Sequence, residues 1–252
     1  MAAEKTLALV LRTVEFSETS SIVTLFTREF GKIRGLAKGA RRPKGPFESA
    51  LDLLSLCRLV FLRKSSEALD LLTEAKLERR FRPANRDLSS LYAGYYVAEL
   101  LNELTDDAEP QADLFDAADE TLVRLSQGLG PVDVVVLRWE MTALRILGHQ
   151  PALASCAECG KEIAATARVP FGQLAGGVLC GACRPGKRQV VSVRAVAIDA
   201  LRKLADEQDQ GWPALTLDRA TSGELRGLMN QYLCNLLGRK LRMPAYLASK
   251  AT

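Results

Sequence analysis

The chain has a single histidine, His149, and only 6% aromatic residues. No apolar run approaches the ~18 residues that a membrane span needs. With one imidazole, acid–base catalysis would have to rest on carboxylates, lysines or a metal. No G-x-x-x-x-G-K-[ST] phosphate loop, Rossmann glycine fingerprint, G-x-S-x-G elbow or H-E-x-x-H helix occurs. Two glycines in "GLAKGA" are a weak phosphate-loop signal alone, so nothing argues for an enzyme. The opening residues place Glu4 and Lys5 ahead of a short apolar run. Neither export nor membrane insertion is expected, and a cytoplasmic address is.

What the chain does have is charge, unevenly placed. The net charge is +4. Residues 1–80 carry 15 basic against 10 acidic side chains, whereas residues 81–252 carry 19 against 20. From Lys32 to Lys44 the cations Lys32, Arg34, Lys38, Arg41, Arg42 and Lys44 follow one another with no acid among them. Such asymmetry favours a polyanion partner for the amino-terminal third. Phe16, Phe26, Phe30 and Phe47 flank the strip, but a core role is expected for most of them, which leaves base stacking secondary.

Residues 6–16 and 21–27 are rich in β-branched and aromatic side chains and are separated by the turn-like "SETS". Residues 32–40 alternate, with Lys32, Arg34, Leu36 and Lys38 on one face and Ile33, Gly35, Ala37 and Gly39 on the other. Two further leucine-rich runs, "LDLLSLCRLVFLR" and "LDLLTEAKLERRF", suit strands, although leucine also tolerates helix. Five short strands in residues 1–80 predict a small barrel of OB type, which spacing alone does not separate from an SH3-like one. The period then changes. Helical spacing recurs from Leu88 to Leu104, after Pro110 as far as Gly128, and from Pro131 to Gly148, with Asn85 or Asp87 as a first N-cap. Further helices are expected at about 193–207 and from Ser222 to Gly238. The expectation is an α+β chain with a barrel over 1–80 and a helical domain over 81–252.

Inserted at about 153–186 is C-x-x-C, twenty intervening residues, and C-x-x-C, formed by Cys156, Cys159, Cys180 and Cys183. A pair of thiolates two residues apart can face one centre, and four fill the coordination sphere of a structural Zn2+. The competing dithiol redox reading lacks the thioredoxin-like unit that such motifs open. Cys57 and Cys234 stand in apolar contexts and suit the core. His149, beside Gly148 and Pro151, suits a helix end better than a ligand. Asp106 with Asp107, and Asp119 with Glu120, suit solvated helix surfaces.

The stretch "LVLRTVEFSETSSIVTLFTREFGKIRGLAKGARRPKG", the run "LRWEMTALRILGHQP" leading into "CAECG", and the closing "LLGRKLRMPAYL" together resemble the RecO family of bacterial recombination mediators and DNA repair proteins, in its zinc-bearing branch. The resemblance spans nearly the whole chain. It implies a nucleoid-associated, non-enzymatic protein that binds single- and double-stranded DNA, anneals complementary strands, and helps RecA replace single-strand-binding protein. RecR and the acidic C-terminal tail of single-strand-binding protein are the implied partners. It also implies a DNA surface at Lys32, Arg34, Lys38, Arg41 and Arg42 with Lys44 at its edge, and zinc ligands at the four cysteines. Arg138 and Arg145 are candidates for contacting the tail. The alternative is a zinc-containing protein-interaction scaffold that does not touch DNA.

Overall fold

The alternation of buried and exposed residues in the amino-terminal segments closes into a barrel. The computed structural model describes residues 3–42, 45–47, 49–64, 69–163 and 166–247, which form two compact units, 1–127 and 128–252. The first unit contains strands β1 (Ala3–Glu15), β2 (Ser21–Thr27), β3 (Gly31–Ala37), β4 (Leu56–Leu62) and β5 (Asp70–Arg79). They close in the order β1-β2-β3-β5-β4. All neighbours are antiparallel except β3 and β5, which run parallel over Gly35–Asp70, Leu36–Leu71 and Ala37–Leu72. This connectivity is that of an OB barrel, and it resolves the alternative that strand spacing left open. The two leucine-rich runs resolve as strands only from Leu56 and Asp70. Leu51 and Leu54 instead sit in turns, with Leu54 at φ 63° and its N–H donated to the carbonyl of Val10 at 2.9 Å.

Inward-facing Ala8, Val10, Val23, Leu25, Ile33, Ala37, Leu59, Phe61 and Leu72 fill the barrel, and Phe47 and Ala50 plug it from the β3–β4 connection. Cys57 is part of this core, as its apolar context predicts, and burial pushes its thiol up to about 12.

Helices α1 (Leu88–Leu104) and α2 (Ala112–Gln127) belong to the barrel unit. Asp87 is the N-cap of α1, accepting from the Ser90 N–H at 3.0 Å, which stabilises such an end by about 1 kcal/mol. The helices were expected to join one body running from residue 81. The outer face of the barrel explains the difference, because Leu9 and Phe26 oppose one another there and need cover. Phe115 of α2 supplies it, its ring 6.2 Å from that of Phe26. The acidic stretch from Glu99 to Glu140 has a use here. Asp116 forks onto Arg28 at 2.8 and 2.9 Å, Asp119 pairs with Arg79, and Asp107 pairs with Arg34 and Lys32. Asp107 and Asp119 are thus ion-pair partners rather than solvated acids.

The second unit has α3 (Val132–Ile146), α4 (Ala195–Ala205), α5 (Arg219–Leu237) and α6 (Pro244–Leu247). Its helices pack through Trp139, Met141 and Leu144 of α3, Ile198 and Leu201 of α4, and Leu225, Met229 and Leu233 of α5. Glu140 of α3, fully buried, is paired with Arg226 of α5. Asp218 caps α5 by accepting the Thr221 N–H at 2.7 Å, and Gly238 closes it at φ 66°. A three-stranded antiparallel sheet, β6 (Arg168–Gly172), β7 (Gly177–Val178) and β8 (Val190–Arg194), was not anticipated. Its strands are short, and two glycines make up half of the β6–β7 ladder at Gly172–Gly177, so no period of two develops in the sequence. Among the described residues no helix is long and apolar enough to cross a membrane.

Candidate nucleic-acid interface and metal centre

Strand β1 pairs with β4 only as far as Leu9, then continues beside β2 alone to Glu15. A bulge at Leu11 sets the register of this extension, so that Arg12 faces Thr24, Val14 faces Ile22 and Glu15 faces Ser21. On the other side of β2, Thr24 faces Arg34 and Ile22 faces Leu36. Directly opposed residues share a face. The outer surface therefore reads in rows: Arg12, Thr24 and Arg34; then Val14, Ile22 and Leu36; then, by continued alternation, Phe16 and Lys38. Arg41 donates its backbone N–H to the Thr19 carbonyl at 3.2 Å, drawing the segment after β3 against the β1–β2 turn. The nearby cations thus converge on one end of the barrel.

The structure separates the six predicted cations. Lys32 is a correction to the expected surface. It points outward, as the alternation predicts, but its side chain is only 11% exposed. Its ammonium donates to the carbonyls of Asn102 at 2.8 Å and Thr105 at 2.6 Å. These carbonyls lie at the C-terminal end of α1, where partial negative charge collects and a cation is stabilising. Lys32 therefore anchors α1 to the barrel and is not presented to a ligand. Arg34 is 60% exposed and shared with Asp107 at 2.7 Å, and Arg41 is shared with Glu15 at 2.9 Å. Lys38 and Arg42 are exposed and have no ion-pair partner among the described residues. Lys44 lies outside the described residues. Burial pushes the carboxyl of Asp107 up, but the hydrogen bond and charge of Arg34, with Lys32 beside it, outweigh this and hold it below its ordinary value.

Two residues of this face escaped the sequence reading. Arg12 is exposed with no ion-pair partner among the described residues, and Phe16 is 61% exposed rather than in the core. Phe26 and Phe47 are buried, as expected. Alternation alone would misplace them: Ala8 and Val10 face inward, so an unbroken period of two puts Arg12, Val14 and Phe16 inward as well, and only the bulge at Leu11 turns them out.

In the second unit the sulfurs of Cys156, Cys159, Cys180 and Cys183 all lie within 4.8 Å of one another. Those of Cys159 and Cys180 are 3.8 Å apart. A tetrahedron with metal–sulfur bonds of ~2.3 Å has an edge of about 3.8 Å, so the donors fit a four-thiolate site. These cysteines can hold a metal ion. Backbone N–H groups, first that of Cys180 at 3.4 Å, hold the Cys156 thiol down at about 6, and that of Cys183 leads those that lower Cys180. Gly160 at φ 70° closes the first knuckle, donating its N–H to the Cys156 carbonyl at 2.9 Å. His149 lies outside the cluster. Its carbonyl accepts from Tyr232 Oη at 2.9 Å and its N–H donates to the Leu144 carbonyl at 2.7 Å, a helix-end role.

Arg138 and Arg145 are committed within this unit. Arg138 donates to the carbonyls of Leu204 at 2.7 Å and Asp206 at 2.8 Å and lies over the Trp212 ring, while Arg145 pairs with Glu207. Arg138 thereby secures the C-terminal end of α4, again the pole that favours cations, and Arg145 meets a carboxylate just beyond it.

Comparison with known proteins agrees with this architecture. The family model described as Recombination protein O N terminal matches residues 1–81, and that described as Recombination protein O C terminal matches residues 85–244. The chain belongs to the RecO family. DNA repair protein RecO of Rhodopirellula baltica is 42% identical, over 97% of this chain and 98% of that protein. The RecO proteins of Myxococcus xanthus, 35% identical over 96% of this chain and 95% of its relative, and of Anaeromyxobacter dehalogenans, 31% identical over 98% and 96%, follow. The face on β1–β3 thus belongs to a RecO-type barrel, and the cysteine cluster to a RecO-type C-terminal region. Membership also makes this a DNA repair protein.

Proposed function

We propose that this RecO-family chain is a non-enzymatic, cytoplasmic and nucleoid-associated recombination mediator. It binds single- and double-stranded DNA through the outer face of β1–β3, anneals complementary strands, and with RecR assists RecA loading onto strands coated by single-strand-binding protein, whose acidic tail it contacts. The observation that carries the reading is the convergence of Arg12, Lys38 and Arg42, exposed and without ion-pair partners among the described residues, at the barrel end beside Arg34 and Arg41. Cations there neutralise phosphates and release condensed counterions. Neutralising two strands at once lowers the repulsion that opposes annealing, and no catalytic group is needed. Zn2+ is the ion assigned to the four cysteines, where it would brace the loop and leave no open coordination position.

Five contacts, from Arg12, Arg34, Lys38, Arg41 and Arg42, correspond to a salt slope of about −3.5 on single strands, or on the order of a hundredfold weaker binding at 200 than at 50 mM salt. Fluorescence anisotropy with a labelled oligonucleotide at both salt concentrations reads this directly. The double variant Lys38→Glu, Arg42→Glu is expected to weaken binding on the order of a hundredfold or more at 50 mM salt. Unchanged affinity in a folded double variant would move DNA binding off this face and favour the scaffold reading.

Arg34 and Arg41 must exchange a carboxylate for a phosphate when DNA arrives. Glu15 is an exposed residue whose ion pair with Arg41 competes with DNA. Glu15→Gln is therefore expected to tighten oligonucleotide binding about two- to fivefold, the scale of an exposed ion pair. The same titration checks it, and weaker binding would show that Glu15 supports the interface instead.

A further inference from the structure

We infer that Phe16 is a base-stacking platform that makes this face select single-stranded over duplex DNA. The inference rests on the reading that the face binds DNA. A phenyl ring 61% exposed at the end of β1 is not explained by the core of its own unit. Nor does it sit on a slack loop. The Phe16 N–H donates to the Ser20 carbonyl at 3.0 Å, the Ser17 N–H donates to the same oxygen at 3.2 Å, and Ser17 Oγ accepts the Ser20 N–H at 3.2 Å. The ring is displayed from a pinned turn.

Its surroundings point to one occupant. Alternation along β1 puts Phe16, Val14 and Arg12 on the same face, and the strand register adds Ile22 and Leu36 beside Val14, which is 40% exposed. The result is an apolar band with Lys38, Arg41 and Arg42 at one border and Arg12 and Arg34 at the other. From Phe16 to Arg12 the strand spans four residues, about 13 Å. A protein partner with an acidic surface would satisfy the borders but leave the ring and band without a specific match. A DNA strand satisfies both, since phosphates meet the cations and an unstacked base meets the ring. In a duplex the base faces are already covered by their neighbours, so only the cations contribute. The ring therefore adds affinity for single strands alone, and that part is insensitive to salt.

The test compares Phe16→Ala with the unaltered chain against a single-stranded oligonucleotide and the corresponding duplex, at 50 and 200 mM salt. Single-strand affinity should fall about five- to a hundredfold. The salt slope and duplex affinity should stay as they were, and Phe16→Trp should restore single-strand binding. Unchanged single-strand affinity, or an equal loss on both substrates, overturns the inference. The Lys38→Glu, Arg42→Glu variant in the same titration separates the two possible failures. If it still binds, the face itself is misassigned; if it loses binding while Phe16→Ala does not, only the stacking role is wrong. A thermal melt of Phe16→Ala matching the parent confirms that the loss is not one of folding.

Discussion

Cys156→Ser is expected to abolish stoichiometric metal retention and to unfold the cysteine knuckles of the segment 153–186, while DNA binding by the barrel unit persists. Cys156 is the most buried of the four ligands, 2% exposed, and its sulfur accepts the N–H of Cys180. The β6–β7 part of the segment has a core of its own in Val169, Phe171, Val178 and Leu179, but the knuckle that carries Cys156 has little else to hold it. Its stays are a few backbone bonds, such as the Cys156 N–H to the Lys161 carbonyl at 2.8 Å and the Ala157 N–H to the Val178 carbonyl at 2.9 Å. A closed four-thiolate zinc site contributes roughly 10 kcal/mol or more of apparent free energy to such a segment. Three remaining thiolates cannot complete the tetrahedron. Elemental analysis of protein purified under reducing conditions should give one zinc per parent chain and well under one per variant. Limited proteolysis should place new cleavage sites within the segment. A variant that keeps a full equivalent of zinc would contradict the four-ligand assignment. One that loses oligonucleotide binding would contradict the placement of DNA on the barrel.

Gly31→Ala should be among the most damaging single-methyl additions in the barrel unit. Gly31 opens β3 at φ 68°, a backbone conformation that costs an ordinary residue about 1–2 kcal/mol. A Cβ there would also stand 2.0 Å from the Glu109 carbonyl oxygen and 2.7 Å from its nitrogen. Those atoms are backbone and cannot swing away like a side chain. The approach is itself fastened, because the Ala108 N–H donates to the Lys32 carbonyl at 2.8 Å and the Lys32 ammonium grips the end of α1. Adding overpacking of about 1–3 kcal/mol gives a loss of about 2–5 kcal/mol, a large share of the ~5–15 kcal/mol that holds a native protein together. The melting temperature of the unfolding transition should fall by about 5–15 °C. A shift of less than 2 °C would mean that the 105–109 segment does not press on β3 as described.

Both substitutions concern places where the chain meets itself over long sequence distances, and that is where sequence reasoning ran thin. The barrel was legible because period-two alternation is a local property of a strand, and the helices because capping residues and a 3.6 period announce them. The cysteine spacing was legible for a similar reason, since a turn of two residues must aim both sulfurs at one point. Short, glycine-containing strands such as β6 and β7 carry no such local signature. Along β1 unbroken alternation from the inward Ala8 and Val10 would have placed Arg12 and Phe16 inward too, and the bulge at Leu11 that reverses their face has no mark of its own in the local pattern.

By itself, the sequence determined the α+β class, the succession of barrel strands and main helices, the clustering of positive charge in the first third, and the convergence of four sulfurs on one centre. Each follows from the covalent order of residues and short-range geometry. Only the tertiary structure decided which cations remain open to a partner. Once α1 and α2 cover Leu9 and Phe26, the carbonyls of α1 claim Lys32 and the carboxylate of Asp107 claims Arg34. Lys38, Arg42 and Arg12 stand clear of those contacts. A side chain's charge is written in the sequence, but the groups that neutralise it come from elements some seventy residues away, and only folding brings them within hydrogen-bonding distance.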